Sequence, residues 1–142
     1  MGLEYRVPVL LPRQMVVFQS ALGLGDIDHP EHPDLIDRLE ARGMPIFDWF
    51  MITPGTPSEV RDMVYRMLIE DLQPGLTYFA LHPAAPGDIE TIAPSHAYAR
   101  LDEYALFRDE AFKAFVAGQP IHLLGCRTLR EFMRETLDHA KN

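Results

Sequence analysis

The stretch Leu76-Thr77-Tyr78-Phe79-Ala80-Leu81-His82-Pro83 gives the strongest secondary-structure signal in the sequence. Its first six residues are an uninterrupted run of aromatic, β-branched and apolar side chains, and such residues favour a strand. A strand that is apolar on both faces and follows a helical pattern is typical of a parallel sheet. His82 comes at the C-terminal end of this strand, where parallel α/β sheets place their chemistry. The alternative, on residue type alone, is a histidine at the strand rim with no role.

Three further segments read as strands, and helical patterns separate them. The predicted strands are Tyr5–Leu11, Pro45–Ile52, the His82 strand and Pro120–Gly125. Met15–Ser20 fits either a short strand or the start of a helix. Strand and helix thus alternate about four times, which indicates parallel βα units with right-handed crossovers in a single α/β domain over residues 1–142. Four units are too few to close a barrel alone, since even small barrels need about eight strands.

The helices have recognisable starts and ends. Pro33 opens a short helix that Gly43 ends, and Thr56-Pro57-Ser58-Glu59 reads as a capping box. A further helix is predicted over residues 97–117, and Thr128 with Glu131 caps the last one. The residues expected to face the core are Leu35, Ile36 and Leu39 in the first helix; Val60, Met63, Val64, Met67 and Leu68 in the second; Leu101, Tyr104, Phe112, Phe115 and Val116 in the third; and Leu129, Phe132, Met133 and Leu137 in the last.

Composition excludes several classes of protein. Thirteen Lys and Arg against 21 Asp and Glu give 142 residues a formal net charge of -8, which disfavours nucleic acid and anionic membrane surfaces as partners. No apolar run reaches the ~18 residues of a transmembrane helix, and the N-terminal residues lack a signal-peptide core. A single cysteine, Cys126, excludes an intrachain disulfide and a cysteine-based zinc site. We expect a cytoplasmic protein.

The loop Asp26–His32 concentrates metal-ligand types, with two aspartates, two histidines and a glutamate. Carboxylates and imidazoles both bind cations, but the spacing matches no known template and Pro30 restricts the wrap. A solvated acidic loop is the favoured interpretation. His122 and His139 are interpreted as a packed or rim histidine and a helix-end cation.

Several motifs resemble the C-terminal half of YdjC-like carbohydrate deacetylases. That family shows a Gly-x-Thr-Glu-x-x-x-His-Pro-Gly strand, which is similar to Gly75 through Pro83, with Tyr78 at the Glu position and Ala84 at the last Gly position. Its Arg-x-x-Glu helix is matched by Arg100-x-x-Glu103 and its final strand by Ile121-His-Leu-Leu. Two upstream stretches fit the same frame: Glu4 to Pro8 through Pro12-Arg13, and Met44 to Phe50.

The resemblance implies part of a distorted (β/α) barrel that hydrolyses acetamido groups of amino sugars with a divalent metal, Mg or Zn. There the metal activates water and polarises the carbonyl, a carboxylate acts as base, and a histidine protonates the leaving amine. His82 matches that catalytic histidine, and Arg13, Tyr78 and Arg100 are assigned to substrate binding. The family's metal ligands lie in upstream motifs that this sequence does not contain. We therefore expect the metal only in the full-length enzyme, and no metal site in this chain.

Two other interpretations stay open. The chain could be a non-catalytic α/β module that binds a sugar or a partner, or an unrelated α/β domain with a chance His-Pro.

Open sheet edges and an uncovered barrel interior favour association. We expect a homo-oligomer, most simply a dimer, or completion by the missing N-terminal half.

Overall fold

The computed structural model describes residues 2–15, 19–20, 22–25, 29–52 and 54–139. In chain order its elements are α1 (Gly2–Tyr5), α2 (His32–Glu40), β1 (Trp49–Ile52), α3 (Ser58–Glu70), β2 (Thr77–Ala80), α4 (Ile89–Ile92), α5 (Ala97–Leu106), α6 (Glu110–Ala117) and α7 (Cys126–His139). The chain is a mixed α/β protein. Within the described residues no helix is long and apolar enough to cross a membrane.

The two parallel strands β1 and β2 are neighbours in one sheet. They fall inside two of the four predicted strand segments. Two residues before β1, Phe47 forms an isolated parallel bridge with Pro12 and so pairs with a third segment of the chain. There the Phe47 amide donates to the Leu11 carbonyl at 3.0 Å, and the Arg13 amide donates to the Phe47 carbonyl at 2.7 Å.

The other two predicted strands were wrong. Residues 2–5 are helical, and no strand is formed over the rest of Tyr5–Leu11, where Pro8 cannot donate a ladder hydrogen bond. Pro120–Gly125 is irregular; its Ile121 amide bonds locally to the Gln119 carbonyl, and the Leu123 side chain is 81% exposed. The segment Met15–Ser20, predicted as either a short strand or the start of a helix, lies largely outside the described residues.

The chain divides into two compact units. The first comprises residues 1–51, 74–78 and 122–142, and the second residues 52–73 and 79–121. In the first, Ile36, Met44, Ile46 and Met133 form the core, with Leu3, Leu11 and Leu39 packed against it. In the second, the core is Tyr65, Ile69 and Phe112, surrounded by half-buried apolar residues that include Phe79 and Leu81. The prediction of one domain over residues 1–142 stays a prediction.

Some helix ends were predicted correctly, while several helix starts and some predicted core residues were not. Gly43, with φ of +79°, follows the end of α2, and Gly118 caps α6. The single helix predicted over residues 97–117 is interrupted instead, because the Asp109 side chain caps α6 by accepting from the Phe112 amide at 2.9 Å. Thr56 forms no capping box; α3 starts after Pro57 without a side-chain cap, and α7 begins at Cys126. Of the residues expected in the core, Leu35, Val60, Met63, Met67 and Phe132 are exposed.

Candidate functional site

His82 lies two residues beyond the end of β2, as predicted, and is half-buried. Its backbone amide donates to Glu103 Oε2 at 2.7 Å. Two residues later, the Ala84 amide donates to the carbonyl of Arg100 at 3.1 Å. One turn of α5 therefore holds the segment that leaves β2, and the His-Pro and Arg-x-x-Glu motifs are in direct contact.

Glu103 is fully buried and accepts a second hydrogen bond, from the hydroxyl of Tyr65. A buried carboxylate is stable only when such donors replace water. Tyr65 is itself 0% exposed and packs its ring against Phe79 and Phe107, with ring centroids 5.7 and 5.2 Å apart. Tyr65, one of the two donors to Glu103, is thus fixed by the core of the second unit.

Arg61, one turn before Tyr65 on α3, is a buried cation that sequence reasoning missed. It is 2% exposed, and its Nε donates to Asp102 Oδ2 at 3.0 Å. The two terminal nitrogens donate to the carbonyls of Pro54, at 3.2 Å, and Thr56. The Asp102 carboxylate also accepts from the Ser58 hydroxyl at 2.6 Å. The buried positions 61, 65 and 69 keep i, i+4, i+8 spacing, the one signal that could have revealed this face.

Adjacent carboxylates on α5 therefore secure two different segments of the second unit. Asp102, through Arg61, holds residues 54–56, which follow β1. Glu103 holds His82, which follows β2. Segments that follow parallel strands are where α/β proteins build their sites. This arrangement fixes the backbone at the carboxyl ends of both strands.

The guanidinium of Arg100 is half-buried. Its Nε atom is buried and has no hydrogen-bond partner within the described part of the chain. The Arg100 backbone, by contrast, is tied to Ala84. Assignment of Arg100 to substrate binding stays a prediction.

Arg13 belongs to the first unit and serves there as an ionic tie. Its guanidinium donates to both oxygens of Glu40 and, through Nε, to Asp48 Oδ1 at 3.0 Å. Hydrogen bonds first to Glu40 and then to Asp48 raise the pKa of Arg13 above its ordinary value. Asp48 Oδ2 in turn accepts from the Leu76 amide at 2.9 Å, next to the start of β2. These ion pairs give Arg13 a structural role. Its assignment to substrate binding stays a prediction.

Tyr78 also belongs to the first unit and lies between two aromatic rings. Its ring meets Phe47 edge-on, with centroids 5.3 Å apart, and stacks on Phe50 at 5.8 Å. Of the predicted site residues, the structure therefore places Arg13 and Tyr78 in one unit and His82 and Arg100 in the other. A cavity of about 410 Å³ in the first unit is lined by none of them.

Across the described residues, no group of three or more His, Cys, Asp or Glu side chains could hold a metal ion. Residues 26–28 of the acidic loop lie outside those described. In the rest of the loop, His29 is exposed and His32 Nε2 lies 2.9 Å from the Pro12 carbonyl, within hydrogen-bonding distance. The described His, Cys, Asp and Glu side chains do not form a group that fits the divalent metal implied by the resemblance.

No family model matches the chain, and comparison with curated proteins gives no significant match.

Proposed function

We propose that this chain is the C-terminal part of a YdjC-like carbohydrate deacetylase, in which His82 protonates the leaving amine. The observation that supports this most directly is the buried Glu103. It connects the two motifs on which the resemblance depends, because its carboxylate accepts a hydrogen bond from the backbone amide of His82. The order β1, α3, β2, α5 with parallel strands agrees with a segment of a (β/α) barrel, and the barrel is part of the proposal.

The chemistry assigned to His82 follows from the reaction. When water adds to the acetamido carbonyl and the carbon–nitrogen bond breaks, the amine leaves with an unfavourable negative charge unless it receives a proton. Histidine suits this role because its imidazole is partly protonated near neutral pH. The donor must be held within hydrogen-bonding reach of the nitrogen, and the hydrogen bond that the His82 amide donates to Glu103 fixes the backbone that carries it. Glu103 is thus a positioning residue.

The proposal has further parts that depend on the rest of the enzyme. In the family that this chain resembles, the metal ligands lie in upstream motifs, so the ligands would come from another part of the complete protein. The substrate class is an amino sugar or oligosaccharide bearing an acetamido group. The proposed assembly is a homo-oligomer or completion by a metal-binding half, in the cytoplasm.

The first test is the coding sequence directly upstream of Met1. An in-frame segment with an Asp-Asp pair and a His-x-His motif supports the proposal. A stop codon close before Met1, with no such segment encoded next to it, contradicts it and favours a non-catalytic sugar- or partner-binding module.

The second test is His82→Ala in the protein that carries this chain with its metal-binding residues. Acetate release from an N-acetylated chitooligosaccharide should fall by about 10²–10⁴-fold while the melting temperature stays within a few degrees. His96→Ala is the matched control, since His96 is exposed at the start of α5. Unchanged turnover in the His82→Ala variant would contradict a catalytic role for His82. Lost turnover with a collapsed melting temperature assigns His82 to packing.

A further inference from the structure

The outward side of α3 carries three large apolar residues in contact with solvent. Val60, Met63 and Met67 are 36%, 55% and 52% exposed. Their i, i+3, i+7 spacing places them within about 60° of one another, at about 100° per helical residue. We call this surface the methionine face. It was predicted to be the core side of the helix, yet Arg61, Tyr65 and Ile69 occupy the core instead.

Acidic side chains border the methionine face. On the helical wheel Glu59 and Glu70 lie along one edge and Asp71 lies along the other, and all three are exposed. Both arginines of α3 are committed elsewhere. Arg61 is buried in its hydrogen bonds, while the Arg66 guanidinium lies over the rings of Phe112 and Phe115. The face therefore combines an apolar stripe with negative flanks.

We propose that the methionine face binds an amphipathic helix of a partner protein whose apolar stripe is flanked by lysine or arginine. The acidic borders of α3 complement such a helix, and opposite charges across an interface select the partner and its orientation. Unbranched methionine side chains adapt to varied apolar surfaces, as in other helix-binding grooves. The 13 residues of α3 span about 20 Å, so a partner helix of three to four turns matches its length. This inference does not depend on the proposed enzymatic function.

The same charges argue against other occupants. In an antiparallel pairing of two copies, Glu59 of each helix would approach Glu70 of the other, and like charges at such an interface are repulsive. An anionic membrane surface would likewise be repelled by these flanks. The net charge of -8 on the whole chain acts in the same direction.

The test uses two fluorescein-labelled model peptides, each about 13 residues long to match α3. Both have the same leucine pattern, one with lysine and the other with glutamate at all polar positions. Binding to the purified chain is followed by fluorescence anisotropy. The lysine peptide should bind at least tenfold more tightly than the glutamate peptide. Met63→Gln with Met67→Gln should weaken that binding at least tenfold, because it removes apolar surface without changing the charge or the helix propensity.

Two controls separate this surface from general attraction to an acidic protein. Leu123→Gln removes an 81% exposed leucine of the first unit and should leave the affinity unchanged. Glu59→Gln with Glu70→Gln should weaken the lysine peptide several-fold, and circular dichroism checks that each variant keeps its helices. Equal loss with Leu123→Gln, or no loss with the methionine variant, overturns the proposal. So does a dimer in light scattering that the methionine variant converts to a monomer, because a second copy then occupies the face.

Discussion

Replacement of Arg61 by methionine should destabilise the second unit more than any surface substitution. Methionine keeps the unbranched apolar stem but removes the cation. Asp102 then loses its charged partner, and the carbonyls of Pro54 and Thr56 lose their donors. The Arg61 cation that these groups contact is itself 2% exposed.

The expected magnitude follows from the burial of the two partners. Removing one member of a buried ion pair typically costs about 3–5 kcal/mol, because the other charge is left without compensation. The Asp102 side chain is 31% exposed and retains its hydrogen bond from Ser58. Water can therefore reach part of the carboxylate, which places the expected loss at the lower end, about 3 kcal/mol.

Urea denaturation followed by circular dichroism at 222 nm measures the loss. For a chain of this size a slope of about 2 kcal/mol per molar urea converts about 3 kcal/mol into a midpoint shift of about 1.5 M. Trp49 is the single tryptophan and belongs to the first unit, so its fluorescence reports whether that unit unfolds in a separate transition. Lys113→Met is the control; its exposed pair with Glu110 should contribute about 0.5 kcal/mol or less.

A midpoint shift for Arg61→Met no larger than that for Lys113→Met would refute the reasoning. The double variant Arg61→Met with Asp102→Leu gives a second check. It leaves no uncompensated charge, and apolar replacements of a whole buried pair are often neutral or better. It should therefore be more stable than Arg61→Met alone. A double variant that is less stable would show that Asp102 stabilises the unit through its other contacts, such as the hydrogen bond from Ser58, and that the stranded carboxylate is not the main cost.

Three further substitutions test other contacts. Tyr65→Phe leaves the buried Glu103 with one donor fewer and should cost about 1–3 kcal/mol in urea unfolding, against no change for the exposed Tyr5→Phe. Gly75→Ala should destabilise by more than about 1 kcal/mol, since Gly75 has φ of +125° and a Cβ there would lie 2.7 Å from an oxygen of Asp48; an unaffected melting temperature would contradict this. Arg13→Met should cost about 1 kcal/mol, less at high salt. Because the pKa of Arg13 is raised on folding, its stabilisation is complete below its unfolded-state pKa and is lost only as pH rises through the higher folded value. Its titration should therefore leave stability unchanged across the neutral range, and a pH-dependent difference between wild type and variant there would point to its carboxylate partners instead.

Local residue preferences were enough to locate β1 and β2 and to place His82 just beyond β2. Six consecutive residues that favour strands need little help from the rest of the chain, and Pro83 restricts the backbone that follows. The same preferences failed at Pro120–Gly125. A strand exists only where a neighbouring strand supplies hydrogen bonds, and the described neighbours of this segment supply none.

Only the tertiary structure decided which side of α3 faces the core. The sequence of α3 contains two stripes on nearly opposite sides of the helix, one of Val60, Met63 and Met67 and one of Arg61, Tyr65 and Ile69. Helical periodicity favours the first, because it contains no charge. The second is buried because Asp102 and two carbonyls satisfy the guanidinium and Glu103 accepts from the tyrosine. The two carboxylates are distant in sequence from α3. The cost of burying a polar group depends on whether such partners are in place, which no local pattern can show.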